Sequence, residues 1–333
     1  MMTKVVRFHE FGGPEVLRFE SLEVGEPGAG EVGVRVEAIG LNRAEAAFRS
    51  GRYIERAVLP ARLGYEAAGV VEALGEGVKG YSVGEQICVM PSFSMNKYGV
   101  YAERAILPAS ALLKRPAGLD TNACASIWMQ YLTAYGALID ISQIGAGDAV
   151  VITAASSSVG IAAIQIANHV GATSIAVTRT AAKEGQLRKL GAAHVIVTEK
   201  QTLETEVLRI TGDKGAKVAF DPIAGPIVAS LAAAMARGGR LILYGNLSGE
   251  AQNTIFPFGL SMSRGFSMRA YVVFEIIGDA QRFERARLFV EEGLCAGWLK
   301  PVIAKTFPFD QMVEAHRYLE GNEQIGKVIV TVP

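Results

Sequence analysis

The sequence predicts an α/β protein of two domains: a compact, barrel-like β domain and a doubly wound parallel sheet with helices on both faces. Three observations carry this reading. The first third holds short alternating β-prone runs separated by dense glycines. Between Ala149 and Tyr244, strand-like and helix-like stretches alternate, with glycines where helices should end. At the head of that alternation, the apolar run 149–154 breaks at small residues and passes into a helical pattern with Val159, Ala163, Ile166 and Val170 on one face. Strand, tight turn and helix in that order present a helix N-terminus to a phosphate.

In chain order, residues 5–8 and 32–38 read as the first strands, with the turn cluster Glu26-Pro27-Gly28-Ala29-Gly30-Glu31 between them. Runs 68–74 and 85–90 follow, punctuated by Gly75, Gly77, Gly80 and Gly84. The parallel sheet is expected from strands 149–154, 173–178, 194–197, 218–221 and 240–244, with Gly171, Gly191, Gly212 and Gly239 ending the helices between them. The stretch 266–274 is apolar and β-prone and is expected as an edge strand that needs covering. A helix is expected over 279–292, and the chain closes on the strand 326–330.

The turn after the first sheet strand carries the chemistry. In the G-x-G-x-x-G register it reads Ala155-Ser156-Ser157-Ser158-Val159-Gly160, so only the last glycine is present, the one needed for close helix–strand packing. Alone, such a turn is equally an ordinary α/β connection. On the first strand of an alternating sheet it stands where a dinucleotide site requires it, which makes Ser156, Ser157, Ser158, Val159 and Gly160 cofactor-binding candidates. The second strand ends in Thr178-Arg179-Thr180-Ala181-Ala182-Lys183, without the acidic residue that takes a ribose 2′-hydroxyl. Arg179 and Lys183 would instead attract a 2′-phosphate, with Thr178 as a hydroxyl donor, so NADPH is expected over NADH; the alternative is a solvated pair at a helix start. Tyr244, Gly245 and Asn246 end the fifth strand on the ligand side. Asp221 is expected to be structural.

The bulk numbers exclude other classes. Of 333 residues, half are hydrophobic and a fifth charged, an ordinary globular balance. Lys+Arg and Asp+Glu both number 33, so no global field recruits nucleic acid or an anionic membrane. Cys88, Cys124 and Cys295 are odd in number and far apart, which suits a reducing compartment and no disulfide framework. The first residues lack the apolar core of a signal peptide, and no apolar run of about 18 residues is present, so a cytoplasmic protein is expected.

Gly64-Tyr65-Glu66-Ala67-Ala68-Gly69-Val70-Val71, followed by Val83-Gly84-Glu85, resembles the G-H-E-x-x-G-x-V … x-G-D signature of the medium-chain dehydrogenase/reductase superfamily. The resemblance implies a GroES-like β-barrel domain joined to a Rossmann domain, here expected as 1–123 with 275–333 and as 124–274. Zinc alcohol dehydrogenases of that superfamily hold a catalytic metal with a cysteine, the signature histidine and a second cysteine. This chain has Asn42, Tyr65 and Met129 near those positions, and 91–99 lacks the four cysteines of the structural-zinc loop. An amide, a phenol and a thioether do not replace thiolate and imidazole, so no metal is expected; Glu66 is expected as a structural acceptor. Gly40-Leu41-Asn42-Arg43-Ala44-Glu45 running on to Arg49-Ser50-Gly51 is similar to the G-x-N-x-x-D-x-x-x-R-x-G segment of the zinc-free quinone oxidoreductase branch, with Glu45 for aspartate. Arg43 is expected either to contact substrate or to face solvent.

That resemblance implies further roles. Thr133 resembles a threonine near the nicotinamide, Asn42 a contact across the cleft, Arg269 an arginine near the cofactor, and Lys327 a phosphate contact; Phe274, at the end of the edge stretch, is a further cofactor candidate. Paired edges 266–274 would make a homodimer, the alternative being cover by the chain's own helix. His316 ends an A-H element and is expected to pack rather than catalyse, and His9, His169 and His194 have no partner spacing. With no metal to polarise a carbonyl, the hydride acceptor must already be activated by conjugation, as in a quinone or an α,β-unsaturated carbonyl. Tyr53 resembles the tyrosine that related enoyl-thioester reductases use at substrate and is the candidate donor; the alternative is a packing tyrosine. Tyr65 is a second candidate, or a plug in the place of the metal. The expected activity is an NADPH-dependent quinone or enone reductase; the alternatives are a zinc-type alcohol dehydrogenase, which the missing ligands oppose, and a non-catalytic NADPH-binding protein of crystallin type.

Overall fold

The computed structural model describes residues 2–333. The chain divides into two compact units, Met1–Met129 with Pro301–Pro333, and Gln130–Lys300. The expected division fell at 123/124 and 274/275. The difference at the C-terminal side has a physical cause in the helix Ala280–Ala296. Its Arg282 pairs with Asp140 at 2.6 Å, and its Phe289 packs on Tyr135, His169 and Trp298, all residues of the second unit.

The first unit is built on the strand Glu31–Gly40, whose side chains alternate between half-buried and buried before its last residues are wholly enclosed. It pairs antiparallel with Ala67–Leu74, with Arg104–Pro108 and with the C-terminal strand Lys327–Thr331. Seven strands make this sheet, and Met2–Arg7 pairs with Arg18–Glu23 in a second, two-stranded one. The strands Arg18–Glu23, Arg104–Pro108, Leu112–Lys114 and Ile303–Pro308 go beyond the sequence reading. Register matters for function here. Ile329 stands opposite Gly40, and Leu41 N donates to Val328 O at 3.0 Å, so Lys327 arrives beside Asn42. Gly40 is required by that approach: a Cβ on it would lie 1.9 Å from the Ala125 carbonyl oxygen and 2.8 Å from Lys327 Cε.

A buried polar knot locks the same unit. Arg49 is fully enclosed and donates to His316 Nδ1 at 2.8 Å, to Gly12 O at 3.1 Å and to both carboxylate oxygens of Glu320 at 2.8 and 3.0 Å. The Tyr101 hydroxyl meets the other ring nitrogen of His316 at 3.0 Å. Because Nδ1 accepts from a guanidinium, the imidazole is neutral with its proton on Nε2, and burial holds its pKa below the ordinary histidine value. His316 is therefore spent on packing and hydrogen bonding.

The second unit is a six-stranded, all-parallel sheet. Its spatial order is His194–Val197, Thr173–Thr178, Ala149–Ile152, Ala216–Asp221, Met235–Leu243, Ser267–Ala270. The chain thus starts in the middle, runs outward one way, returns and runs outward the other way. Ligands bind such sheets at the carboxyl ends of the strands, at the reversal point. Two expectations are corrected. The edge strand is only Ser267–Ala270, because the chain turns at Val272 and Phe274 opens the short helix Phe274–Ile277. Gly239 ends no helix: it lies inside Met235–Leu243, while Gly171, Gly191 and Gly212 adopt positive φ as helix-ending residues do. The three cysteines are free, Cys88 and Cys124 buried and Cys295 exposed.

Candidate active site

In the first unit the site grows from the helix Arg43–Arg49 and the strand that feeds it. Asn42 is the N-cap, and Glu45 at the third helical position reaches back to accept the Asn42 N–H at 2.8 Å. A glutamate has the reach for this reciprocal cap, which explains why it stands where the similar segment has aspartate. Its other oxygen accepts from Tyr65 N at 3.1 Å and from the Asn42 amide at 3.3 Å. Glu45 has no exposed surface, and burial pushes its carboxyl up to about 7 against the opposing pull of Lys327 and its three N–H donors.

Asn42 is fully engaged. Its amide nitrogen donates to Gly40 O at 3.1 Å and to Glu45, and its oxygen accepts from Lys327 Nζ at 2.5 Å. The same ammonium reaches Glu66 Oε2 at 2.5 Å, both side chains being wholly buried. The other Glu66 oxygen accepts from Met129 N at 3.1 Å. Glu66 is thus the structural acceptor expected, but its main partner is Lys327, which the sequence reading had reserved for a phosphate. Asn42, one of the positions similar to zinc ligands, therefore holds a resident lysine ammonium together with Glu66. A dication would face that charge with an amide, a phenol and a thioether as donors, a set that does not fit zinc. Among the described residues, no group of three His, Cys, Asp or Glu could hold a metal ion.

Tyr65 sits fully buried between Phe93, with ring centroids 5.5 Å apart, and half-buried Tyr53, at 6.2 Å. The two phenols interact through their hydroxyls. Burial pushes Tyr53 up to about 12, and raises Tyr65 further with help from the charge and hydrogen bond of Tyr53. Both hold their protons at neutral pH.

In the second unit the turn after Ala149–Ile152 opens the helix Ser158–His169. Ser157 caps it, accepting Gly160 N at 3.0 Å. The N–H groups of Ser158 and Val159 in the first turn have no intrahelical acceptor and point to an anion position. Gly160 must be glycine: a Cβ there would lie 2.7 Å from Ala155 Cα and Ala155 O. Lys183 Nζ donates to Ser156 Oγ at 3.0 Å, which brings the second-strand end onto the serine turn. Thr178 Oγ1 donates to Thr180 O at 3.4 Å, and Arg179 is exposed. Tyr244 stacks on Phe220 at 4.0 Å, and its hydroxyl is sealed from solvent with no hydrogen-bond partner among the described residues. Open N–H groups and a lysine on the turn fit a dinucleotide diphosphate.

The remaining candidates divide. Asp221 accepts from Thr153 Oγ1, from Ala224 N at 2.7 Å and from Ile223 N at 3.2 Å, so it shapes the turn after the fourth strand. Asn246 accepts Ala251 N at 3.0 Å, and a Cβ on Gly245 would lie 2.8 Å from Pro222 O. Thr133 is buried in the helix Trp128–Tyr135. The Arg269 guanidinium is bidentate on Glu275, at 2.7 and 2.6 Å, and Phe274 begins the helix that carries that glutamate.

Residues 28–117 match the family model of the alcohol dehydrogenase GroES-like domain, and residues 158–292 that of the zinc-binding dehydrogenase. A 2-haloacrylate reductase from Burkholderia sp. is 30% identical, covering 99% of this chain and 99% of its own. The quinone oxidoreductase of Homo sapiens is 31% identical over 99% of this chain and 98% of its own. The crystal structure of Escherichia coli quinone oxidoreductase complexed with NADPH superposes with a TM-score of 0.89 at 26% identity, covering 98% of this chain and 99% of that one.

Proposed function

The chain belongs to the medium-chain dehydrogenase/reductase superfamily, in its zinc-free quinone oxidoreductase branch, and from that premise we propose an NADPH-dependent reductase of quinones or α,β-unsaturated carbonyls that works without a metal. NADPH, when bound, supplies the hydride. The observation that carries the reading is a protonated tyrosine pair, Tyr53 beside Tyr65, in which Tyr65 takes the position of the zinc branch's signature histidine. A phenol can donate to a carbonyl oxygen as negative charge develops there, the task a Lewis acid performs in the metal enzymes. Tyr53 is the proposed donor, and Tyr65 orients and polarises it. Asn42 and Glu45 set the backbone on which Tyr65 stands.

The test is NADPH oxidation with a panel of quinones and enones. Turnover supports the reading; NADPH binding without turnover of any member of the panel would leave a non-catalytic binding protein.

Cofactor choice follows from the second-strand end. Ser156, Ser157, Ser158 and the N–H groups of the helix start are proposed to take the diphosphate, and Arg179 and Lys183 the 2′-phosphate. The double variant R179A/K183A is expected to weaken NADPH binding about 100-fold, since each charge-assisted contact contributes about 1.5–3 kcal/mol in part. NADH binding should change far less. Equal losses for both cofactors, measured by fluorescence titration, would remove the 2′-phosphate role. Thr133, Thr178, Tyr244, Gly245 and Asn246 complete the proposed cofactor contacts. The reading extends to a cytoplasmic setting, since three free cysteines suit a reducing compartment.

We also propose a homodimer through the edge Ser267–Ala270. Just before that short, largely exposed strand in the chain come Ile255, Phe258 and Met262, which are 80%, 66% and 72% exposed. An exposed sheet edge with apolar residues before it in the chain is a template for pairing, and a second copy pairing edge to edge covers it symmetrically. Light scattering should give twice the chain mass, and F258E/M262E should give the monomer. A wild-type monomer at micromolar concentration would refute the dimer.

A further inference from the structure

Two thiols that the reductase chemistry does not use meet inside the first unit. Cys88 lies in the strand Gln86–Val89, opposite Ala68 on one side and Leu113 on the other. Cys124 ends the single-turn helix Thr121–Cys124. Neither has any exposed surface. Arg115 brings the two elements together. Its backbone N–H donates to Gln86 O at 3.1 Å, in the strand that holds Cys88. Its guanidinium donates to Leu119 O at 2.9 Å and to Thr121 Oγ1 at 3.3 Å, at the start of the helix that Cys124 ends. The two thiols interact directly through their sulfurs, and the buried Trp128 indole also reaches Cys88.

The two members of the pair differ in surroundings. Contact with Cys88, joined by the Arg115 charge, holds Cys124 below the ordinary cysteine range, against burial and Asp120. Contact with Cys124, joined by burial, pushes Cys88 well up. One sulfur is thus suited to attack as a thiolate and the other to follow as the resolving thiol. The cover over Cys124 is also thin. Ala117, Gly118 and Asp120 before the helix are exposed, and the helix is a single turn capped by Asp120 on Ala123 N at 2.7 Å. A single turn of this kind opens far more easily than the sheet that holds Cys88.

Beyond the reductase reading and independent of it, we propose that Cys88 and Cys124 form a reversible dithiol–disulfide site whose oxidant is hydrogen peroxide. The Cys124 thiolate attacks one peroxide oxygen. An S–O bond forms, the O–O bond breaks, and the departing oxygen takes up a proton and leaves as water. The Cys88 sulfur then attacks the Cys124 sulfur. The S–S bond forms, the S–O bond breaks, and the Cys88 proton leaves with the second water. The two thiols lose two electrons and the peroxide gains them. The bridge fastens the strand Gln86–Val89 to the segment that leads on to Met129, whose N–H donates to Glu66.

The test uses the folded full chain carrying Cys295→Ser, which removes the exposed thiol. The chain is treated with hydrogen peroxide, its remaining thiols are alkylated, and its peptides are mapped without reduction. The Cys88 and Cys124 peptides are expected to appear joined, with the loss of two hydrogen atoms. The bridge closes the loop from 88 to 124, so the thermal midpoint should rise by about 5 °C, and dithiothreitol should reverse both changes. Adding Cys88→Ala should abolish the joining and the rise and leave added oxygen on Cys124. Adding Cys124→Ala should leave Cys88 unoxidised. In the Cys295→Ser chain, two free thiols after peroxide, or oxygen added to Cys124 with no joined peptides, overturns the proposal. Joining that appears only when denaturant has unfolded the chain overturns it as well.

Discussion

Tyr53→Phe is expected to lower kcat about 100-fold with quinone or enone acceptors while KM for the acceptor changes little. Removing one donor aimed at a developing oxyanion costs about 100- to 1,000-fold, and an interaction made mainly in the transition state appears in kcat. The two phenols interact through their hydroxyls, and burial keeps both protonated at neutral pH. Tyr65→Phe removes only the polarising partner and should cost about 10-fold. The pH profile separates donor from base. Tyr53 is held up to about 12, so its ionisation gives no inflection near neutrality. An inflection near 7 would belong to Glu45, whose carboxyl burial pushes up to about 7. The Glu45 shift also carries a stability sign: its folded-state value lies above its unfolded one, so its contribution is most favourable below the unfolded value and fades as pH rises towards 7. Kinetics of Tyr53→Phe within about 3-fold of wild type would make Tyr53 a packing tyrosine on Phe48 and Tyr65.

Lys327→Met should destabilise the protein by about 3–5 kcal/mol, because it leaves the Glu66 carboxylate buried without its cation. A thermal midpoint lower by roughly 10 °C is the corresponding shift for a unit of this size. The double variant K327M/E66Q should recover much of the loss, since glutamine keeps an oxygen for the Met129 N–H and buries no charge. Asn42 also loses the donor on its oxygen, so the double variant should not recover fully. A single variant with an unchanged melting point but weakened NADPH binding would return Lys327 to the phosphate role. A double variant as unstable as the sum of the two single ones would show that the pair is not coupled.

The two halves of the molecule were not equally legible. Strands of an all-parallel sheet are covered on both faces, so they read as continuous apolar runs; 149–154, 173–178 and 194–197 stood out for that reason and lie within a residue or two of the strands observed. The first unit hid more. Arg18–Glu23 and Ile303–Pro308 have mostly exposed or half-buried residues and no apolar stripe to mark them. The expected edge strand ran too long because Tyr271, Val272, Val273 and Phe274 are β-prone, yet Tyr271 is buried against the Leu132 carbonyl and the chain bends there into a helix.

By itself, the sequence determined the fold class, the serine-rich turn at a helix start, the absence of an acid at the second-strand end and the loss of the zinc ligands. Each is encoded by local residue type, spacing or backbone preference. Only the tertiary structure decided that Lys327 belongs to Asn42 and Glu66, which lie 285 and 261 residues away, and that Arg49 locks His316 across 267. Those partners meet because the last strand pairs with Glu31–Gly40 in one register. Buried charges must find a partner wherever the packed chain brings one, and no periodicity along the sequence records which partner that will be.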